Sequence, residues 1–204
     1  MDFFVVVESI GMASASISGY LFAVKKGCDW LGVFVAAFLT ALGGGVLRDV
    51  LVGRDIYSFT HYMPCVIVLV MIVVANRVKL YSKKERIEKK FVFIFTDAVD
   101  VICFSIVGAI VASEHGYNVF GVALIAFSNG VGGGILRDIL LNEVPWFLST
   151  GLYGTISIVV GVLYYAAFCL GFSSLFFTIF LLIFGIIFRL LAYYRGWSLP
   201  LLKD

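Results

Sequence analysis

Charge is scarce in this sequence. Only 14% of its 204 residues are Asp, Glu, Lys or Arg, against 62% hydrophobic residues, and the mean hydropathy is +1.07. A soluble domain carries about 25% charged residues, so a soluble globular fold is excluded and most of the chain must lie in lipid. The net charge of +2 is too small to point to nucleic acid. Cysteine is sparse as well. Cys28, Cys65, Cys103 and Cys169 show no CxxC spacing and no histidine partners, which leaves a disulfide or metal centre without support. No nucleophile–base pair, metal-ligand set or nucleotide-binding motif stands out, so the chain does not read as an enzyme and implies no cofactor. The opening MDFFVVVE lacks the basic region of a signal peptide and reads as the start of a retained first helix.

What the chain does have is long apolar runs. A hydrocarbon core of about 30 Å needs about 20 helical residues. Seven runs qualify, at 3–24, 31–52, 63–80, 91–112, 119–141, 150–170 and 175–194. The expected fold is an all-α membrane protein with seven transmembrane helices. Lys and Arg set its orientation. Residues 76–90 carry seven basic side chains, the first short loop has Lys25 and Lys26, and the last helix ends in Arg189 and Arg195. Loops 114–118 and 171–174 have none. The N-terminus is therefore expected outside and the C-terminus in the cytoplasm, with Arg54 as the outer-side exception. Lys83, Lys84, Lys89 and Lys90 in the basic linker carry a second reading, as a site for anionic lipid headgroups.

Two strings stand out. Residues 43–49 read GGGVLRD and residues 132–138 read GGGILRD. Each glycine weakens a helix by roughly 1 kcal/mol relative to alanine. Each charge costs roughly 2.5–3.5 kcal/mol in mid-membrane on insertion scales. A shift of 89 positions superposes the two strings, and also carries Glu8 to Asp97, Ser16 to Ser105, Gly19 to Gly108, Gly27 to Gly116 and Phe38 to Phe127. Each unit holds three helices, so the second copy enters from the opposite face. The expected organisation is an inverted 3+3 repeat. Residues 1–80 form the first unit, 81–90 a cytoplasmic linker, 91–170 the second unit, and 171–204 a seventh helix and tail.

Glycine triplets beside charges predict broken helices two and five, at Gly43, Gly44 and Gly45 and at Gly132, Gly133 and Gly134. Interrupted backbone is tolerated at membrane depth only when buried in protein or lining a wet cavity, and inverted repeats often place a substrate or ion path there. The competing reading is that the glycines only let helices approach closely. At 1.5 Å per residue Glu8 lies about 8 Å deep and Arg48 about 6 Å deep, so the two are expected to meet near the outer face. By the repeat, Asp97 and Arg137 are expected to meet near the inner face, with Asp100 one turn further on. Glu8, Arg48 and Asp49 then sum to −1, and Asp97, Asp100, Arg137 and Asp138 to −2. A narrow wet path with that excess favours cations; the same groups also fit buried ion pairs that only fix helix positions. Thr40, Ser128 and Asn129 lie just before the glycines, placed either to offer oxygens to an ion or to hydrogen-bond within their helices.

Weaker features complete the inventory. Gly11, Ala15 and Gly19 form a close-packing stripe, as do Gly154 and Gly161. Tyr57, Tyr62 and Trp146 read as interfacial aromatics, His61 and His115 as outer-loop residues. The last helix, nearly free of polar groups before Arg189, reads as a lipid- or subunit-facing wall.

Seven helices, a 3+3 inverted repeat, an extra final helix and the doubled GGG-x-x-R-D resemble the prokaryotic branch of the TRIC family, the trimeric intracellular cation channels. That branch shares a domain also described as a glycine transporter. The resemblance spans essentially the whole chain. It implies a homotrimer with one pore per subunit that passes monovalent cations, K⁺ above all, with Na⁺ also expected to permeate. It maps the family's motif charges onto Arg48, Asp49, Arg137 and Asp138. Where animal members carry Lys-Glu-Val, this chain has Leu136, Arg137 and Asp138. No TVGYG-type filter is present, so discrimination of K⁺ from Na⁺ is expected to be modest. The alternative is an ion-coupled secondary transporter of glycine or another small amino acid, which broken helices in an inverted repeat fit equally well.

Overall fold

The computed structural model describes residues 3–80, 91–145, 148 and 152–200. Among these are eight helices: α1 (Phe3–Lys25), α2 (Trp30–Val52), α3 (Tyr57–Thr60), α4 (Tyr62–Arg77), α5 (Phe91–Glu114), α6 (Val119–Leu140), α7 (Tyr153–Cys169) and α8 (Leu175–Tyr194). Five of them, α1, α2, α5, α6 and α8, are long and apolar enough to cross a membrane. Helices α4 and α7 are apolar but shorter, at 16 and 17 residues. The third expected run, 63–80, corresponds to α4, and the connection before it holds the additional single turn α3. The lysines of the 81–90 linker and Trp146 lie outside the described residues.

The repeat seen in the sequence is a repeat in space. Asp29 caps the N-terminus of α2 by accepting from the Gly32 amide, and Asn118, 89 positions on, caps α6 by accepting from Phe120 and Gly121. Such caps satisfy amides that a helix start leaves unpaired. The turns just before them pass through Gly27 and Gly116 at φ of 76° and 75°, a left-handed conformation that glycine adopts without steric cost. Along the helices the correspondence persists. Gly19 of α1 lies against Ala36 O and the Ala37 Cα of α2, while Gly108 of α5 lies against Ile125 O and the Ala126 Cα of α6.

Helix α5 is the axis of the molecule, with nearly every residue from Phe93 to Ser113 buried. On one side of it an apolar core joins α1, α2 and α4; on the other a second core joins α6, α7 and α8. Helix α8 keeps only Thr178, Leu181, Gly185, Arg189 and Ala192 buried, and exposes Phe176, Phe180, Phe184 and Ile187.

Helices α2 and α6 are not broken. Both run as continuous α-helix through Gly43, Gly44 and Gly45 and through Gly132, Gly133 and Gly134. The glycines serve contact between the two helices. A Cβ on Gly44 would lie 2.2 Å from the carbonyl oxygen of Asn129, and one on Gly133 would lie 2.2 Å from that of Thr40. Gly43 faces Leu136, and Gly132 faces Leu47, in the same reciprocal way. Backbone hydrogen bonds that stay inside each helix need no outside partner at membrane depth, so close approach is achieved without an interruption.

Candidate functional site

The crossing of α2 and α6 divides the buried charges into two clusters. The first lies toward the face that carries the α1 N-terminus. Arg48 is 1% exposed; its Nη1 donates to Glu8 Oε1 at 2.8 Å and its Nε to Asp49 Oδ1 at 2.7 Å. The pairing of Glu8 with Arg48 expected from their depths is therefore made. Asp49 also accepts from Arg54 Nε at 2.7 Å and from the Tyr57 amide at 3.0 Å, which seats α3 over the cluster. Arg54 belongs to this cluster, so its formal charge is zero and not the −1 expected. Glu8, Met12, Ala41, Gly45, Arg48 and Phe104 line a small cavity here. Glu8 Oε2 is buried there without a hydrogen-bond partner among the described residues.

The second cluster lies toward the opposite face. Arg137 Nε donates to Asp138 Oδ1 at 2.8 Å, repeating the Arg48–Asp49 pair. Asp97 and Arg137 meet at one cavity, as expected, but make no direct hydrogen bond or ion pair. The Arg137 Nη1 instead reaches Ser18 Oγ at 3.4 Å, and the guanidinium lies 4.3 Å from the Phe22 ring centroid. Asp97 accepts from the Tyr153 hydroxyl at 2.9 Å and lies 3.7 Å from Arg189 Nη2, whose guanidinium stacks 4.5 Å from the Tyr153 ring. One cause is length: Asp97 is a methylene shorter than Glu8, its counterpart in the first unit. The other is the final helix, which supplies a cation that the repeat does not contain. With Arg189 counted, the formal charge of Asp97, Asp100, Asp138, Arg137 and Arg189 is −1, smaller than the −2 expected. Thr40, Asp97, Asp100, Gly134, Arg137 and Tyr153 line a second small cavity. The two cavities are counterparts, since Glu8, Gly45 and Arg48 map onto Asp97, Gly134 and Arg137.

Nothing in the sequence marks Tyr153, and Arg189 reads there only as a topology charge. A signal for Arg189 is present: a full charge about four turns into a helix that is nearly all apolar, opposite an unbalanced pair of aspartates. Among the oxygen-bearing residues, Thr40 Oγ1 donates to Ala36 O at 2.7 Å within its own helix. Asn129 Nδ2 donates to Phe104 O at 2.6 Å and so ties α6 to α5. Ser128 is half-buried on α6. Of the outer-loop residues, His61 stacks on Tyr57 at 4.2 Å, and His115 Nδ1 lies 2.8 Å from Val111 O. Lys26, at the α1–α2 turn, bonds Glu143 beyond α6 and fastens the two units at the face opposite the N-terminus.

Comparison with known proteins places this geometry. The family model described as glycine transporter matches residues 5–77 and 94–168. A structure solved to establish conductance through TRIC cation channels superposes on 100% of this chain, and on 98% of its own, with a TM-score of 0.85 at 31% identity. The chain belongs to the TRIC family. A prokaryotic TRIC channel crystallised in 0.5 M KCl matches the TRIC-family chain with a TM-score of 0.84 at 27% identity, covering 96% of this chain and 98% of the other. The inner membrane protein YadS of Escherichia coli (strain K12), a UPF0126 protein, is 32% identical over 166 residues, 79% of this chain and 77% of its own length. A trimeric intracellular cation channel orthologue from Rhodobacter sphaeroides shares the fold at 22% identity, with a TM-score of 0.81. The chain is accordingly a multi-pass membrane protein.

Proposed function

We propose that this chain is a K⁺-permeable channel for monovalent cations, with one conduction path inside each subunit. The observation that carries the reading is the pair of counterpart cavities on opposite sides of one helix crossing. Each is lined by carboxylates next to an arginine, and all of these groups come from a single chain. A carboxylate excess around the second cavity favours cations over anions. Likeness over the full chain to a TRIC cation channel supports the same choice. In this reading Arg48, Asp49, Glu8, Arg137, Asp138, Asp97 and Asp100 border the path, with Thr40, Ser128 and Asn129 near its narrowest part.

The rest of the assembly follows from the same reading. Helices α4 and α7 complete seven spans, with the boundaries of the two repeat units and the linker as read from the sequence. The N-terminus faces outward across a prokaryotic inner membrane and the C-terminus faces the cytoplasm. Three copies associate, each with its own path. Lys83, Lys84, Lys89 and Lys90 meet anionic headgroups.

Purified protein in a planar bilayer with asymmetric KCl tests the proposal, repeated with NaCl. Discrete openings that reverse on the cation side are expected, with similar currents for the two salts. Saturable, ion-coupled glycine uptake into liposomes, without such openings, would replace the channel by a transporter.

A further inference from the structure

We propose that the Phe104 side chain is the gate of the conduction path, an apolar plug that separates the two charged cavities. This rests on the channel reading above. Phe104 lines both cavities, whose charged linings are otherwise distinct. It is 3% exposed and belongs to the same apolar core as Met12 and Ala15 of α1. On α2 the division between cavities falls between consecutive residues, since Thr40 lines the second and Ala41 the first.

The internal repeat fails at this position in a telling way. Phe104 corresponds to Ala15, so an aromatic ring stands on one side of the pseudo-two-fold and a methyl group on the other. Gly11 makes room for the ring: a Cβ there would lie 3.1 Å from Phe104 Cε1. The counterpart of Gly11 is Asp100, a residue of the second cavity. The backbone of Phe104 is held by Asn129, which donates to its carbonyl at 2.6 Å. A rotation of the side chain alone then joins or parts the cavities. An apolar constriction blocks ions by excluding water, which polar linings on either side cannot prevent.

Potassium flux from proteoliposomes and single-channel recording test the assignment, with Phe104→Ala, Phe104→Leu and Phe104→Trp beside the unaltered chain. Phe104→Ala is expected to raise unstimulated K⁺ flux by roughly tenfold or more, Phe104→Leu by a smaller factor, and Phe104→Trp to leave it at or below the starting level. A silent parent with a conducting Phe104→Ala also supports the gate. A conducting parent whose Phe104→Ala and Phe104→Leu forms pass no more K⁺ overturns the gate and leaves the channel reading standing. If neither the parent nor any variant conducts, the channel reading falls and the gate with it. Elution on size exclusion reports folding; should Phe104→Ala aggregate, the same criterion is applied to Phe104→Leu, which nearly conserves volume.

Discussion

Gly44 lies so close to Asn129 that a Cβ on the glycine would sit 2.2 Å from the asparagine's carbonyl oxygen. Gly133 stands in the same relation to Thr40, so the α2–α6 crossing is self-complementary about the pseudo-two-fold. The third glycine of each triplet is different. A Cβ on Gly45 or Gly134 would meet nothing nearer than an arginine Nη2, at 3.8 Å.

The triplets are thus expected to respond unevenly to alanine. Gly44→Ala and Gly133→Ala should each lower stability by about 1–3 kcal/mol, since rigid backbone must move to admit the methyl. Gly45→Ala and Gly134→Ala should be neutral, or stabilising by up to about 1 kcal/mol from helix propensity. Thermal unfolding in detergent separates the two outcomes. Equal effects at all four positions would deny the crossing its role.

Asp97 and Arg189 form the second test. Removing one partner of a buried ion pair typically costs about 3–5 kcal/mol, because the other charge is left behind. Arg189→Met and Asp97→Asn should each destabilise the fold, and the double variant should lose less than the two single losses together. A coupling of at least about 1 kcal/mol in this cycle is the expected result. Strict additivity would mean that the 3.7 Å approach carries no energy.

The two caps invite a simpler comparison. Asp29→Ala and Asn118→Ala should each cost about 1 kcal/mol, while Asp29→Asn and Asn118→Asp stay near neutral, because both residue types cap well. Melting temperatures of the four variants decide this. A neutral alanine at either position would show that the helix start is held by packing.

Conduction offers the fourth expectation. Asp97→Asn combined with Asp138→Asn removes two of the three carboxylates near the second cavity and leaves two arginines. The reversal potential in asymmetric KCl should move away from the cation side. An unchanged potential would take those carboxylates out of the path.

The sequence made much of this legible. Periodicity of apolar runs located the helices, and the shift of 89 positions located the counterpart charges before any coordinate. Matched depths were enough to join Glu8 to Arg48. Two readings failed for physical reasons. Glycine triplets predict breaks, yet helix propensity in isolation says little about a backbone that gains a partner helix by lacking Cβ atoms. Arg189 reads as a topology charge because it lies near a helix end. Only the packing of α8 against α5 shows that its side chain turns inward. Arg54 stands out in the sequence only as a basic exception on the outer side, since the loop that returns it to Asp49 leaves no periodic trace.

The tie between Asp97 and Arg189 also bears on how the molecule is made. Asp97 precedes Arg189 by 92 positions and is translated well before it. The carboxylate must enter the bilayer well before its guanidinium partner exists, so the nascent chain passes through a stage in which the second three-helix unit has been threaded but not locked. Chains truncated before α8 should linger at that stage, exposed to quality-control proteolysis.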